Sequence, residues 1–467
     1  MHLSNEIIDA ADMKCHQVAI VGAGLAGPLL ASLLRQQGFE VTVFEKRADP
    51  RTQAIVEGRS INLAIAERGL QALRLAGIEQ DVLDYAVPMS GRMVHTVEKS
   101  SFHAYSLKDD DVIWSVQRSR LNEHLLNVAE QRGVRFFFNA EVETIDLLTS
   151  RLTTQQGVEF AFDLLVGADG ADSAVRCALT HACEIDCERE VLSHGYKELD
   201  ISATAASNGR LNPEALHIWP RGGYMCIALP NHDGSFTATA FLPLEKCDQQ
   251  LPNFASLSGK EVVRRFFNTE FPDLSQLLCD LEDNYATRPV GRLATLRMSR
   301  WHYNRAVLIG DAAHQMVPFH GQGMNCAFED ALLLTQCLTL HTGKISTALK
   351  HYESQRKPDV EAIQTMALEN YEEMRERVSS PDYLLERELS AWLEKRHPQR
   401  FISRYHMVTF TCLPYAIAHK RGNIQKEILK SAVTGCQTFQ QINLVEVEKK
   451  VLERLSELHI LQEVRDD

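Results

Sequence analysis

His16-Gln17-Val18-Ala19-Ile20-Val21, running directly into Gly22-Ala23-Gly24-Leu25-Ala26-Gly27, is the stretch from which the rest of the chain is read. A short apolar run that stops at glycines predicts a buried strand. The helical periodicity of residues 25–37 and the run Glu40-Val41-Thr42-Val43-Phe44 predict a helix and a second strand, and so a βαβ unit. Gly38 suits the left-handed residue that ends a helix. Pro28 falls in the first helical turn, where no amide hydrogen is needed. Glycines at 22, 24 and 27 allow a tight turn and let the backbone approach a pyrophosphate at the helix amino terminus. Glu45 lies 21 residues beyond Gly24, at the end of the second strand, where a carboxylate accepts hydrogen bonds from ribose hydroxyls. Such a carboxylate repels a 2′-phosphate, which favours FAD or NAD over NADP at this site.

Outward from this unit, residues 120–133 read as an amphipathic helix feeding a strand at 135–138, and residues 162–166 as another buried strand of the same sheet. From about 187 to 285 the texture changes to alternating strands and turns, as in residues 224–229 and 236–241. The strand pattern returns at 306–310, and everything after about 347 is helix-rich and charged. The expected fold class is α/β: a Rossmann-like nucleotide-binding domain with an inserted, mostly antiparallel β-sheet substrate domain and a C-terminal helical region. The expected boundaries are 14–186 for the first part of the nucleotide domain, with 86–108 contributing to the substrate pocket, then 187–288 for the insertion, 289–345 for the second part and 346–467 for the helical region.

Composition narrows the function classes. With 49 Lys and Arg against 62 Asp and Glu the formal charge is −13, which disfavours nucleic acid and anionic membrane surfaces as partners. Residues 1–14 carry Glu6, Asp9 and Asp12 and lack the basic start and apolar run of a signal peptide, so a cytoplasmic location is expected. The most apolar late stretch, 407–418, is short and contains Pro414, so no membrane anchor is expected. Eleven scattered cysteines fit a reducing compartment. Cys183 and Cys187 lack a second ligand pair, and no metal is expected. Neither His-Glu-x-x-His nor a nucleophile elbow occurs, so hydrolysis has no support. The oligomeric state stays open, a homodimer included.

Two later segments each end a predicted strand in an acidic turn: Leu164-Leu165-Val166-Gly167-Ala168-Asp169-Gly170 and Val307-Leu308-Ile309-Gly310-Asp311-Ala312-Ala313-His314. Together with the glycine turn they resemble the motifs of the flavoprotein aromatic hydroxylases. That resemblance implies tight, non-covalent FAD and NADPH as a transient reductant, since the chain has one glycine-rich dinucleotide turn. It implies that Asp311 holds the ribityl chain and that Asp169 lies near the pyrophosphate. Pro318-Phe319-His320-Gly321-Gln322-Gly323-Met324-Asn325 then opens a helical run at 326–340. A glycine-rich turn at a helix start aims free amides forward, and the resemblance places the flavin pyrimidine edge there. The implied cofactor contacts are Gly22, Gly24, Ala26, Gly27, Glu45, Lys46, Arg47, Ala64, Arg118, Asp169, Asp311, Gly323, Met324 and Asn325, with Arg118 expected just before its helix.

Longer segments, among them Gly58-Arg59-Ser60-Ile61-Asn62-Leu63-Ala64, Gly91-Arg92-Met93-Val94-His95 and Met366-Ala367-Leu368-Glu369-Asn370-Tyr371, are similar to those members of the family that hydroxylate L-kynurenine. The similarity runs from about residue 18 to 421. It implies that Arg92 and Tyr105 bind the substrate carboxylate and that Asn370 and Tyr405 complete the polar end. Leu216, Met225, Ile227, Leu229, Thr239 and Phe241 would wall the ring, with Phe319 and His320 as the catalytic residues beside the flavin. The reaction so implied uses FAD, NADPH and O2 to place a hydroxyl at ring position 3 through a flavin C4a-hydroperoxide. Two alternatives remain at this point: a hydroxylase of another aromatic acid, and an FAD reductase that does not oxygenate.

Overall fold

The computed structural model describes residues 17–52, 62–106, 111–207, 209–245, 251–376 and 381–458. Residues 1–14 and the Gly58 to Ile61 part of the segment quoted above lie outside them. The strand Gln17–Val21, the helix Ala26–Gln36 and the strand Glu40–Phe44 form the expected βαβ unit. Gly38 has a φ of 83°. The unit sits in a six-stranded sheet ordered His302–Tyr303, Ala306–Leu308, Leu164–Gly167, Gln17–Val21, Glu40–Phe44 and Arg135–Phe137. Its strands run parallel except for the His302–Tyr303 edge. All four residues of Leu164–Gly167 and all three of Ala306–Leu308 are buried, as a parallel sheet covered on both faces requires.

The second sheet has seven strands: Gly291–Met298, Cys187–Ile201, Phe236–Pro243, Met225–Pro230, Ala215–Pro220, Gly91–His95 and Ser100–Ala104. It is antiparallel except where Ala215–Pro220 runs parallel to Gly91–His95. The sheet therefore draws strands from both sides of the 187–288 stretch. Behind it a core of Trp219, Phe266, Phe267, Phe271 and Leu274 packs under the helix Lys260–Glu270.

The C-terminal region is helical: Ile345–Glu376, Pro381–Arg396, Arg404–Thr409, Tyr415–Val433 and Leu444–Arg454. Ile345–Glu376 packs against both Gly323–Leu340 and Tyr415–Val433. Where these layers meet, a buried ion network ties them. Asp330 Oδ2 accepts from the Gly310 amide at 2.9 Å and bonds to His314 Nε2 at 2.6 Å, while Arg356 Nε donates to Asp330 Oδ1 at 2.8 Å. Burial pushes the Asp330 carboxyl up, but His314 and Arg356 outweigh it and hold it at about 2. His314, Cys326 and Asp330 bring ligand-type atoms within 4.8 Å of one another. Arg356 also reaches the Cys326 sulfur at 3.1 Å, so a cation of the protein already answers this carboxylate.

Candidate active site

Between the two sheets and the helical region lies a cavity of about 730 Å³. One end is built by the glycine turn. Gly22 has a φ of 107°, and a Cβ there would overlap the Ala168 carbonyl of the acidic turn next to it. A Cβ at Gly27 would overlap the Gly22 carbonyl, so Gly27 lets the helix sit against its own strand; it does not line the cavity. A Cβ at Gly24 would meet nothing within 4 Å, and Gly24 and Ala26 both line the cavity. No side chain caps the Ala26–Gln36 helix, which leaves its first amides available to an anion.

Glu45 sits beside this turn. Its Oε2 accepts from the Ala23 amide at 2.8 Å, and its Oε1 accepts from Arg47 Nε at 2.9 Å. Burial alone would raise the Glu45 carboxyl, but Arg47 and these amide bonds hold it below its ordinary value, so it is an anion facing the cavity with lone pairs to spare. Lys46, Arg47, Ala64 and Arg118 line the cavity, with Lys46 and Arg47 following Glu45 at this end, Arg118 near Asp311, and Ala64 packed against Met89, Ile113 and Leu229 toward the other end. Arg118 is the first residue of the helix Arg118–Gln131, which starts two residues earlier than expected.

Asp169 accepts from Ser173 Oγ at 2.5 Å and from the Ala174 amide at 2.7 Å, so its turn is closed by its own carboxylate. Asp311 differs. Its carboxylate faces the cavity and makes no hydrogen bond among the described residues, and enclosure by protein raises its pKa. A half-enclosed carboxylate of this kind calls for a hydroxyl donor. A polyol chain threaded from the glycine turn toward residue 323 meets that need. The residues present therefore fit FAD.

The helix Gly323–Leu340 begins three residues before the expected start, and Gly323 and Met324 line the cavity at its amino terminus. Asn325 does not. It is fully buried, its Oδ1 accepts from the Ala66 amide at 3.0 Å, and its Nδ2 donates to the carbonyls of Ala64 and Gly321 at 2.9 and 3.0 Å. Its side chain ties the residue 64–66 segment and the Gly321 turn to the start of its own helix.

At the other end the cavity is walled by the seven-stranded sheet. Met225 pairs across strands with Phe241, Ile227 with Thr239 and Leu229 with Thr237, so alternation brings the expected wall residues onto one face. Leu216 stands beside Arg92 in register on the neighbouring strand. Thr237, Met89, Ile113, Tyr196 and Leu293 also line this end and were not foreseen. Thr237 shares the parity of Thr239 and Phe241, a signal the sequence did carry.

The polar corner is compact. The Arg92 guanidinium lies 4.5 Å from the ring centre of Tyr405 and 5.4 Å from that of Tyr105. The two tyrosine rings stack at 5.5 Å. Burial opposes the charge on Arg92, but the two tyrosines more than compensate and keep it cationic. No carboxylate pairs with Arg92 among the described residues. His320 stacks on Tyr405 at 5.9 Å, and its Nδ1 is buried without a hydrogen-bond partner among the described residues. Burial first, and then Arg404 and Arg92, push His320 down to about 3, so it is neutral. Asn370 Nδ2 donates to the Phe319 carbonyl at 2.5 Å, which anchors the Phe319 turn to the helical region. Phe319 packs between Phe241 and Tyr371, at 5.4 and 4.6 Å.

Comparison with known proteins fits this geometry. Residues 15–367 match the FAD binding domain family. The chain is 46% identical over 443 residues to the kynurenine 3-monooxygenase of Stenotrophomonas maltophilia, covering 93% of this chain and 96% of that protein. It is likewise 46% identical to the kynurenine 3-monooxygenase of Xanthomonas axonopodis pv. citri, with 94% and 97% covered. The chain belongs to the kynurenine 3-monooxygenase family. Among solved structures, 2-methyl-3-hydroxypyridine-5-carboxylic acid oxygenase shares the fold of this family member with a TM-score of 0.65 at 24% identity, covering 79% of this chain and 95% of that one. PqsL of Pseudomonas aeruginosa in complex with 2-aminobenzoylacetate does so with a TM-score of 0.63 at 20% identity, covering 78% and 97%. Among the described residues, no helix of this kynurenine 3-monooxygenase family member is long and apolar enough to cross a membrane.

Proposed function

We propose that the protein hydroxylates L-kynurenine at ring position 3, using FAD, NADPH and O2. The observation that carries this reading is a cavity with two kinds of end: glycine-turn amides, Glu45 and Asp311 at one, and at the other an arginine beside two tyrosine rings with no carboxylate partner among the described residues. An amino acid whose side chain ends in an aniline ring matches the second end. Its carboxylate pairs with Arg92, with the Tyr105 and Tyr405 hydroxyls as further donors. Its ring lies against Leu216, Met225, Ile227, Leu229, Thr239 and Phe241, pointing toward Phe319.

When bound and reduced by NADPH, FAD supplies the activation of O2 for transfer of one oxygen atom. The chain's own residues do the rest. The aniline nitrogen already enriches the ortho ring carbon in electrons, so no strong base is required. Apolar walls keep water from the reacting centre. His320 is neutral at working pH and acts as a hydrogen-bonding partner, not as an acid. Asn370 sets the Phe319 turn, and with it the distance between ring and cofactor. We place this activity in the cytoplasm, with a homodimer as the candidate assembly.

An empty, wet site would let reduced flavin spend NADPH on O2 without product, so substrate should gate reduction. Flavin reduction by NADPH, followed by stopped-flow absorbance, is expected to be faster by an order of magnitude or more with L-kynurenine than without it. Salicylate and 4-hydroxybenzoate should accelerate it little. Equal rates with and without kynurenine, or acceleration by the phenolic acids alone, would contradict the reading.

A further inference from the structure

From the helical region, Tyr415 reaches Gln322, a residue that lines the cavity. Its hydroxyl donates to Gln322 Oε1 at 2.8 Å, and both residues are buried, at 0% and 3% exposure. Gln322 is the residue before the Gly323–Leu340 helix. Its carbonyl accepts from the Cys326 amide at 2.8 Å, but its side chain makes no capping bond. Among the described residues the carboxamide has no partner other than Tyr415. With its oxygen held, the nitrogen is the end left to the cavity that Gln322 lines.

What fixes this orientation is Arg68. The fully buried guanidinium lies 3.7 Å from the centre of the Tyr415 ring, donates to Glu329 at 3.0 Å and also binds the Leu413 carbonyl. A cation over the ring face draws electron density from the phenol and makes its hydroxyl a better donor than acceptor. Burial keeps that phenol protonated. The tyrosine therefore presents a proton to the amide oxygen, and the amide presents its own protons to the cavity.

We propose that Tyr415 is a positioning residue for the flavin: it locks Gln322 so that the carboxamide donates into the cofactor cavity and leaves the Gly323 and Met324 amides uncapped. This rests on the reading that places the reactive end of the flavin at the Gly323 helix. Negative charge gathers on the flavin there as it is reduced, or as sulfite adds to it, and the donors favour that charge.

The test uses FAD-loaded protein, with sulfite as the probe, titrated by the loss of flavin absorbance, and with the flavin midpoint potential measured alongside. Tyr415→Phe keeps the ring over Arg68 and removes the hydroxyl. It should weaken sulfite binding about tenfold, as expected for a lost hydrogen bond to a charged acceptor, and lower the potential. Gln322→Ala should do the same, and the double variant should be no weaker than Gln322→Ala alone. An effect of Gln322→Ala with none from Tyr415→Phe, or additive effects in the double variant, overturns the proposal. No change in either single variant overturns the placement of the flavin end as well. Should Tyr415→Phe fail to fold, Gln322→Glu decides. It keeps an acceptor for Tyr415 but lacks the donor, so weaker sulfite binding at an unchanged thermal midpoint supports the lock, and unchanged binding overturns it.

Discussion

Replacing Arg92 by alanine is expected to weaken L-kynurenine binding at least about thirtyfold while leaving FAD content near that of the unaltered protein. The guanidinium lies beside the stacked rings of Tyr105 and Tyr405 with no carboxylate from the described residues next to it, so the charge is available to a ligand. A substrate carboxylate brought into this half-buried corner without Arg92 loses its main partner, at a cost of about 2 to 5 kcal/mol. Arg92→Lys should recover only part of the loss. An ammonium keeps the charge but not the planar fork, nor the stacking on two rings. FAD should be retained because Arg92 sits at the end of the cavity opposite the glycine turn. The check is a kynurenine titration of both variants by flavin absorbance, beside a kynurenine analogue lacking the carboxylate. If Arg92→Ala weakens that analogue as much as kynurenine, Arg92 is not the carboxylate anchor.

The second large effect belongs to stability. Asp330→Ala should destabilise the protein by about 3 to 5 kcal/mol, because it strips Arg356 and His314 of the carboxylate they share and leaves a buried cation with less compensation. It also frees the Gly310 amide, next to Asp311, so FAD affinity should fall together with the thermal midpoint. Asp330→Asn keeps the shape and one acceptor, and should lie between. Thermal unfolding followed by flavin fluorescence separates the cases; a midpoint within a degree of the unaltered protein for Asp330→Ala would show that the network carries no net stability.

Local signals account for what was legible beforehand. The βαβ unit, Gly38, Glu45 and the two acidic turns each follow from a residue type matched to a neighbouring backbone need, and each stands where the motif spacing puts it. The apolar face that lines the other end of the cavity is readable for the same reason, since strand alternation is local. What escaped depends on distant pairing. Nothing near Gly91–His95 announces that it joins, in parallel, a strand more than a hundred residues on. The helices at Arg118 and Gly323 start earlier than the local pattern suggests, because neither carries a capping side chain to mark its first turn. Asn325 and Gly27 belong to the motifs, yet neither lines the cavity. The structure shows them holding the motif loops in shape, a distinction that motif membership does not carry. The Tyr415–Gln322 link joins residues 93 apart and leaves no trace in either local pattern.

The most direct measurement is product identification. Purified protein with FAD, NADPH, O2 and L-kynurenine is predicted to consume NADPH and O2 in equal amounts with one hydroxylated product, carrying the new oxygen ortho to the aniline nitrogen. NADPH consumed with hydrogen peroxide as the sole oxygen product, or oxygen inserted at another ring position, would contradict it.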